Sequence, residues 1–490
     1  MNLKTPYGLA LLALALTGCK VGPNYHRPDA PVASAYKEDQ GWKPATPAQV
    51  PENEPWWSIY NDPVLDALER QVVVSNQTLK ASEAAYRAAV EQIGIDRGPL
   101  LPSISVNGVR THSGGGSGVS QGVATGSGTT VSTNSTSRST IYSAGAQASW
   151  QIDVWGRIRR TVESDVAKAQ VSAADVAAAR LSAQITLAQD YFQLRAAEEQ
   201  RQLYAASIKD FQTSLTISQN QVKAGITTLA DVYAAETELE STEASAVSIE
   251  LTRAKFEHAI AVLIGKNPEE LSLDHTGIPK TVPIVPAGIP SELLQRRPDI
   301  AAAERTMASA NALVGVAESA WYPSVTLSAS YGFTSTVLPG LFNVGNSLWS
   351  IGPSLTETVF NGGARLATNR QARDNYDEAV ASYRATVLAA FQAVEDDLVS
   401  LRVLEHQSTL QTTAVEDARK SEGLYLNQYK SGIVVYTTLL TAQTTRLAAE
   451  INLLGIQSQQ LVSSVDLISQ LGGGWSAAQL DQPDRGVAAR

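Results

Sequence analysis

The chain has 490 residues, a formal charge of -10, one cysteine and five histidines. The acidic balance argues against a dedicated nucleic-acid binder, and a single cysteine excludes an intramolecular disulfide framework or a multi-cysteine metal site. His26, His112, His258, His275 and His406 form no pair at metal-ligand spacing on one helix face. No nucleophile elbow, phosphate loop or zinc signature is present either. No catalytic residue, cofactor or metal is therefore assigned, and nucleic acid is not expected as a partner.

The chain opens with Lys4, an apolar run from Leu9 to Leu16, and Leu16-Thr17-Gly18-Cys19. That is the anatomy of a secretory signal over 1–18, and its apolar run is too short to span a bilayer, which takes about 20 residues. A cysteine at this point resembles a bacterial lipobox, in which Cys19 becomes the lipidated (palmitate-bearing) mature N-terminus. An ordinary signal with a chance cysteine is the alternative. In lipoproteins an aspartate after the cysteine favours inner-membrane retention. Lys20 stands there, so the outer membrane is expected.

Residues 157–224, 226–264 and 364–422 contain neither glycine nor proline and are rich in good helix formers. Val380, Tyr383, Val387, Ala390, Val394, Leu398 and Leu401 recur at spacings of three and four, as do Leu447, Ile451, Leu454, Leu461, Val465 and Ile468. A helix over 157–224 is roughly 100 Å long. It carries two apolar stripes, one with Leu181, Ile185, Ala188 and Phe192, the other with Leu187, Tyr191 and Leu194. Two stripes predict neighbours on both sides, as in a closed ring of helices; a two-stranded coiled coil with one seam is the alternative.

Four segments alternate with period two, the strand signal: about 102–111, 141–152, 322–333 and 348–358. Val325, Leu327, Ala329, Tyr331 and Phe333 share one face of the third, and Tyr142, Ala144, Ala146, Ala148, Trp150 and Ile152 one face of the second. Such segments fit membrane strands of about 9–11 residues, apolar outward and polar inward; a soluble sheet with one wet face gives the same pattern. Residues 113–140 read as a flexible Gly/Ser/Thr loop.

The chain is a duplication. Leu101-Pro102-Ser103 matches Tyr322-Pro323-Ser324 at an offset of 221, Val154-Trp155 matches Val359-Phe360 at 205, and Lys223-Ala224-Gly225-Ile226 matches Lys430-Ser431-Gly432-Ile433 at 207. Each half reads helix, strand hairpin, long helix, tight turn, helix. The expected organisation is signal 1–18, lipidated segment 19–63, first repeat 64–264, linker 265–290, second repeat 291–471 and tail 472–490. Four strands cannot close a barrel in lipid; two chains supply eight and three supply twelve.

The chain resembles the TolC-like outer-membrane factors, in the lipidated subgroup of efflux proteins. The resemblance rests on Cys19-Lys20-Val21-Gly22-Pro23-Asn24-Tyr25-His26-Arg27-Pro28, Trp56-Trp57-Ser58-Ile59-Tyr60-Asn61-Asp62-Pro63, Arg296-Arg297-Pro298-Asp299-Ile300, the two Gly-Ile turns, and Leu471-Gly472-Gly473-Gly474-Trp475. It implies a mainly α fold with a membrane β-barrel, in which a homotrimer closes twelve strands above a helical periplasmic tube. It also implies a mixed equatorial region, placed in 40–63, 265–290 and 472–490, where Trp56 and Trp57 pack. The implied partners are a periplasmic adaptor, an inner-membrane pump and outer-membrane lipid. The implied function is passive export of drugs, toxic organics or metal ions, in preference to a lipoprotein enzyme or a structural coiled-coil tether.

In the family the turns at 223–231 and 430–441 are periplasmic tips that close the tube and receive the adaptor. Gly225 and Gly432 mark them. Asp231 keeps the family's acid, or else serves only as an acid of its helix's first turn. Tyr429 matches a tyrosine of the closed contact. Val434, Thr438 and Thr441 replace the arginine and aspartates of the prototype. Leu439 and Leu440 then either form an apolar constriction, which can gate by dewetting, or pack between helices.

Overall fold

The computed structural model describes residues 20–30, 36–38, 55–114, 138–279, 281–283, 285 and 293–481. The signal segment, Cys19, most of the Gly/Ser loop and parts of the expected equatorial stretches lie outside these residues. The helices are α1 (Pro63–Ser75), α2 (Gln77–Arg97), α3 (Arg157–Lys223), α4 (Leu229–Leu263), α5 (Pro298–Ser319), α6 (Ala364–Lys430) and α7 (Tyr436–Gln470). The strands are β1 (Ser103–Gly114), β2 (Arg138–Ile152), β3 (Ser324–Ser335) and β4 (Ser347–Thr356).

The duplication is carried by the lengths of the elements. α3 and α6 each have 67 residues, α4 and α7 each 35, and β1 and β3 each 12. α3 and α6 both begin directly after a left-handed glycine, Gly156 at φ 78° and Gly363 at φ 86°. Those glycines put the offset at 207 here, as at the tips, and equate Val154-Trp155 with Asn361-Gly362. The match with Val359-Phe360 at 205 is thereby corrected: two short apolar dipeptides look alike, but the helix starts determine which positions correspond. The helix starts are capped from nearby: Asp153 accepts from the amides of Ile158 and Arg159 at 3.1 and 3.0 Å, and Asp62 from those of Val64 and Leu65 at 2.9 and 3.1 Å.

The chain forms two compact units, and each takes pieces of both repeats. One comprises 1–27, 89–168 and 307–379 and holds the sheet. Its four strands are antiparallel in the order β1-β2-β3-β4. The pairs Ile104–Ala148, Trp150–Leu327 and Val325–Leu355 set the apolar residues of all four strands on one face. Ser105, Gln147, Ser330 and Ser350 share the other, because directly opposed residues point the same way. Val106, Trp349 and Leu355 are 82%, 74% and 69% exposed, so no described element of the chain covers the apolar face. That is the reverse of a soluble sheet, which buries its apolar side. The first hairpin extends to Gly114 and Arg138, beyond the alternating signal.

At the foot of the sheet, Trp155 stacks on Tyr322 at 4.6 Å and donates to the Pro323 carbonyl at 2.8 Å. Lys20 to Asn24 are strapped here. The fully buried Arg160 donates to the carbonyls of Val21 and Gly22 at 3.0 and 2.8 Å and to Asn24 at 3.1 Å. Asn311 holds the Pro23 carbonyl at 3.0 Å, and Lys20 pairs with Glu163.

The other unit comprises 28–88, 169–306 and 380–490. Its core gathers Trp56 and Trp57, α1 (Leu65, Leu68, Val72), α3, α4 (Ile260), α6 (Val394, Leu398) and α7 (Leu461, Val465). Ile185, Ala188 and Phe192 of one α3 stripe and Leu187, Tyr191 and Leu194 of the other are all buried in this one core. The single-seam coiled coil therefore does not hold at this level. Among the described residues, no helix is long and apolar enough to cross a membrane.

Glu69 of α1 is fully buried, and neither carboxylate oxygen has a hydrogen-bond partner among the described residues. Burial pushes its pKa from 4.5 up to about 9. The unfolded chain loses this proton from about pH 4.5 while the folded chain keeps it, so stability falls as pH rises through that window. At neutral pH the cost is on the order of 3 kcal/mol. Glu69→Gln removes the slope. Its thermal midpoint relative to the wild type should climb between pH 5 and pH 9, and a difference independent of pH would refute the assignment.

Candidate functional site

The two helix turns have the same backbone. At the end of α3, the amides of Ala224, Gly225 and Ile226 donate to the carbonyls of Asn220, Val222 and Gln221 at 3.1, 2.9 and 2.9 Å. At the end of α6, Ser431, Gly432 and Ile433 donate to Asn427, Tyr429 and Gln428 at 3.1, 3.0 and 2.9 Å. Gly225 and Gly432 both lie at φ 71°, a left-handed helix end that disfavours any residue with a Cβ.

Asp231 sits in the first turn of α4, where the helix dipole favours a carboxylate, and the Thr227 hydroxyl donates to it. Thr438 occupies the equivalent place in α7. Beside the turns, Tyr429, Tyr436, Leu439 and Ala235 form a small buried core, with Leu440 and Val434 packed against it. Tyr429 and Ser218 share a hydrogen bond of 2.8 Å, which ties α6 to α3. Burial raises the phenol pKa of both tyrosines.

Of the two readings of the leucine pair, this geometry supports packing for Leu439. It is fully buried, and its counterpart in the first repeat, Val232, is buried as well. Leu440 is half-buried, as is Thr438, whereas Thr441 is exposed. Thr437, Thr438 and Thr441 line a groove of about 420 Å³ between α6 and α7, with Ala418, Ser421 and Tyr425 opposite.

A polar cluster further along the helices is not apparent from the helix pattern. Arg446 of α7 donates to Asp210 of α3 at 2.7 Å and pairs with Glu422 of α6 at 2.9 Å. Gln443 donates to Ser214 at 3.1 Å, and Arg419 to Glu450 at 2.7 Å. Burial raises the Glu422 pKa, against the pull of Arg446. The available signal was that Gln443 and Glu450 fall within the stripe of Leu439, Leu447 and Leu454. Among the described residues, no cluster of three or more acids, histidines or cysteines could hold a metal ion.

A duplicated chain of long helices and amphipathic hairpins, with an exposed apolar sheet and two helix turns, defines a membrane channel protein. A family model described as outer membrane efflux protein matches residues 68–266 and 289–473, and the chain belongs to that family. It is 30% identical over 485 residues to the antibiotic efflux pump outer membrane protein ArpC of Pseudomonas putida, covering 96% of each chain. The toluene efflux pump outer membrane protein TtgC, also of Pseudomonas putida, is similar to the same degree, 30% with 96% of each chain covered. Among solved structures, the outer-membrane channel OprN superposes with a TM-score of 0.84 at 29% identity, covering 93% of this chain and 100% of that one.

Leu439→Ala leaves a cavity in the tip core and should lower stability by about 2–5 kcal/mol. Thermal unfolding together with bilayer conductance checks this. Unchanged stability with raised conductance would return Leu439 to the lumen wall.

Proposed function

We propose that this chain is the outer-membrane channel of a tripartite efflux system, a passive duct that exports small molecules from the periplasm. The exposed apolar face of the four-stranded sheet carries the reading, because a structural tether has no use for it. Three copies close twelve strands and leave a water-filled lumen, whereas eight strands leave an interior filled by side chains. Long helices with exposed α6 positions at seven-residue multiples, Val403, Leu410 and Leu424, fit a tube whose walls are shared between copies. The relatives named for antibiotic and toluene efflux support amphipathic or apolar organic compounds as cargo. Energy comes from an inner-membrane pump, joined through a periplasmic adaptor that seats on the tips and the threonine-lined groove.

Cys19 carries the lipid. The strap from Lys20 to Asn24 supports this, since it holds the residue after Cys19 at the foot of β2, where the Val21 amide donates to the Trp155 carbonyl at 3.2 Å. Acyl chains there enter the leaflet that faces the periplasm. Asp231 contributes its charge at the tip opening.

Native mass measurement in detergent should give three copies whose mature N-terminus is an acylated Cys19, and a planar bilayer should record conductance. A monomer, or no conductance, would sink the channel reading; an unmodified Cys19 would sink only the anchor. Asp231→Asn should lower cation selectivity most at low salt, where screening is weak. Unchanged selectivity would confine Asp231 to its role in the first turn of α4.

A further inference from the structure

β1 and β4 each pair on one side only, so each leaves a row of backbone donors and acceptors open. The duplication says how those rows meet. β1 maps onto β3 with Ser103 on Ser324, and β2 maps onto β4 at the offset of the helices that follow, with Ser149 on Thr356. These offsets carry a built-in check. They turn the β1–β2 pair Ser103–Ser149 into Ser324–Thr356, which is the pair β3 and β4 make. The two hairpins are therefore equivalent in register as well as in order.

The same offsets apply to the contact between hairpins. Within the chain, Ser149 faces Ser328, Gln147 faces Ser330, Gly145 faces Gly332 and Ser143 faces Thr334. We infer that β4 pairs antiparallel with β1 of a second copy in the register that sets Thr356 opposite Asn107 of the partner subunit and Ser350 opposite Ser113 of the partner subunit. Ser354 then faces Val109 of the partner subunit, and Gly352, the counterpart of Gly145, faces Thr111 of the partner subunit.

Three features support this register. It is the transform of a contact already present in the chain. It preserves the faces: Leu355 opposes Gly108 of the partner subunit on the apolar side, and the serines meet on the polar side. It also joins two hydroxyl pairs into one row. Ser330 and Ser350 share a hydrogen bond of 2.8 Å, as do Ser113 and Ser139. In this register the two pairs abut, so one row of serines crosses the seam. A slip of two residues would keep the faces but break the row, placing Ser350 against Thr111 of the partner subunit.

The seam rests on the closed-ring reading above, and one set of cysteine pairs separates the two. Cys19 is the only native cysteine. Directly opposed residues in an antiparallel pair have Cβ atoms about 4.5–5.5 Å apart, within reach of a disulfide after small shifts, and diagonal neighbours about 7–8 Å. Full-length protein in outer membranes carries Ser350→Cys with Ser113→Cys, or Ser354→Cys with Val109→Cys. The slipped control carries Ser350→Cys with Thr111→Cys. After mild oxidation and boiling without reductant, both matched pairs should give cross-linked dimers and trimers from most chains, and the slipped pair little. Two independent pairs cover the failure of one variant to assemble. Cross-linking of the slipped pair alone overturns the register and leaves the ring standing. No cross-link in protein that native mass finds as three copies overturns the pairing of β4 with β1. A monomer removes the ring, and the seam with it.

Discussion

A backbone amide or carbonyl in hydrocarbon has no water to turn to, and each one left unpaired costs several kcal/mol. The four-stranded sheet has two open edges and an apolar face that nothing described in the chain covers. Those two facts together force assembly: the apolar face calls for lipid, and lipid does not tolerate the edges. A duplicated chain meets the demand economically. Because its hairpins are equivalent in register, the contact that joins them inside one copy is a template for the contact between copies. Period-two alternation then allows only slips of even length, since a slip of one residue would turn serines toward lipid.

Much of this was legible in the sequence. Alternation identified the apolar side of every strand, and the absence of glycine and proline identified the long helices. The legible signal ended where residue chemistry stopped tracking direction. From Thr111 to Gly114 and from Arg138 to Thr140 both faces carry polar or small residues, so the first hairpin runs further than its pattern. Helix α6 continues through Gly423, because an isolated glycine costs a helix interior only about 1 kcal/mol. The offset at Val154-Trp155 failed for a related reason. Two apolar dipeptides look equivalent on the page, and only the left-handed Gly156 and Gly363 settle which residues correspond.

The tip residues expose a different limit. A leucine in a heptad stripe reads the same whether it faces a lumen or a neighbouring helix. The burial of Leu439 is informative because Val232, in the other repeat, is buried too. The polar cluster escaped for the opposite reason: charged residues on long helices normally lie in water. Glu69 is the extreme case, a carboxyl set among Leu65, Leu68 and Val72, so that α1 looks half-solvated by pattern while that position is fully enclosed.

Duplication supplies the geometry, and divergence decides where the cohesion lies. The turns at Gly225 and Gly432 are superimposable in their hydrogen bonding, so nothing in the backbone distinguishes α4 from α7. The side chains do. α7 carries Arg446 and Gln443, which reach α3, and Tyr436, which fills the tip core. The equivalent positions in α4 are Leu239, Glu236 and Leu229, and Leu229 is exposed. The polar ties of the tip therefore belong to the second repeat. Truncating Arg446 would strand Asp210 and Glu422 without their cation, whereas the first repeat has no matching bond to lose. Two helix pairs with one backbone thus differ in how firmly they are held, and that difference is written in a handful of side chains on α7.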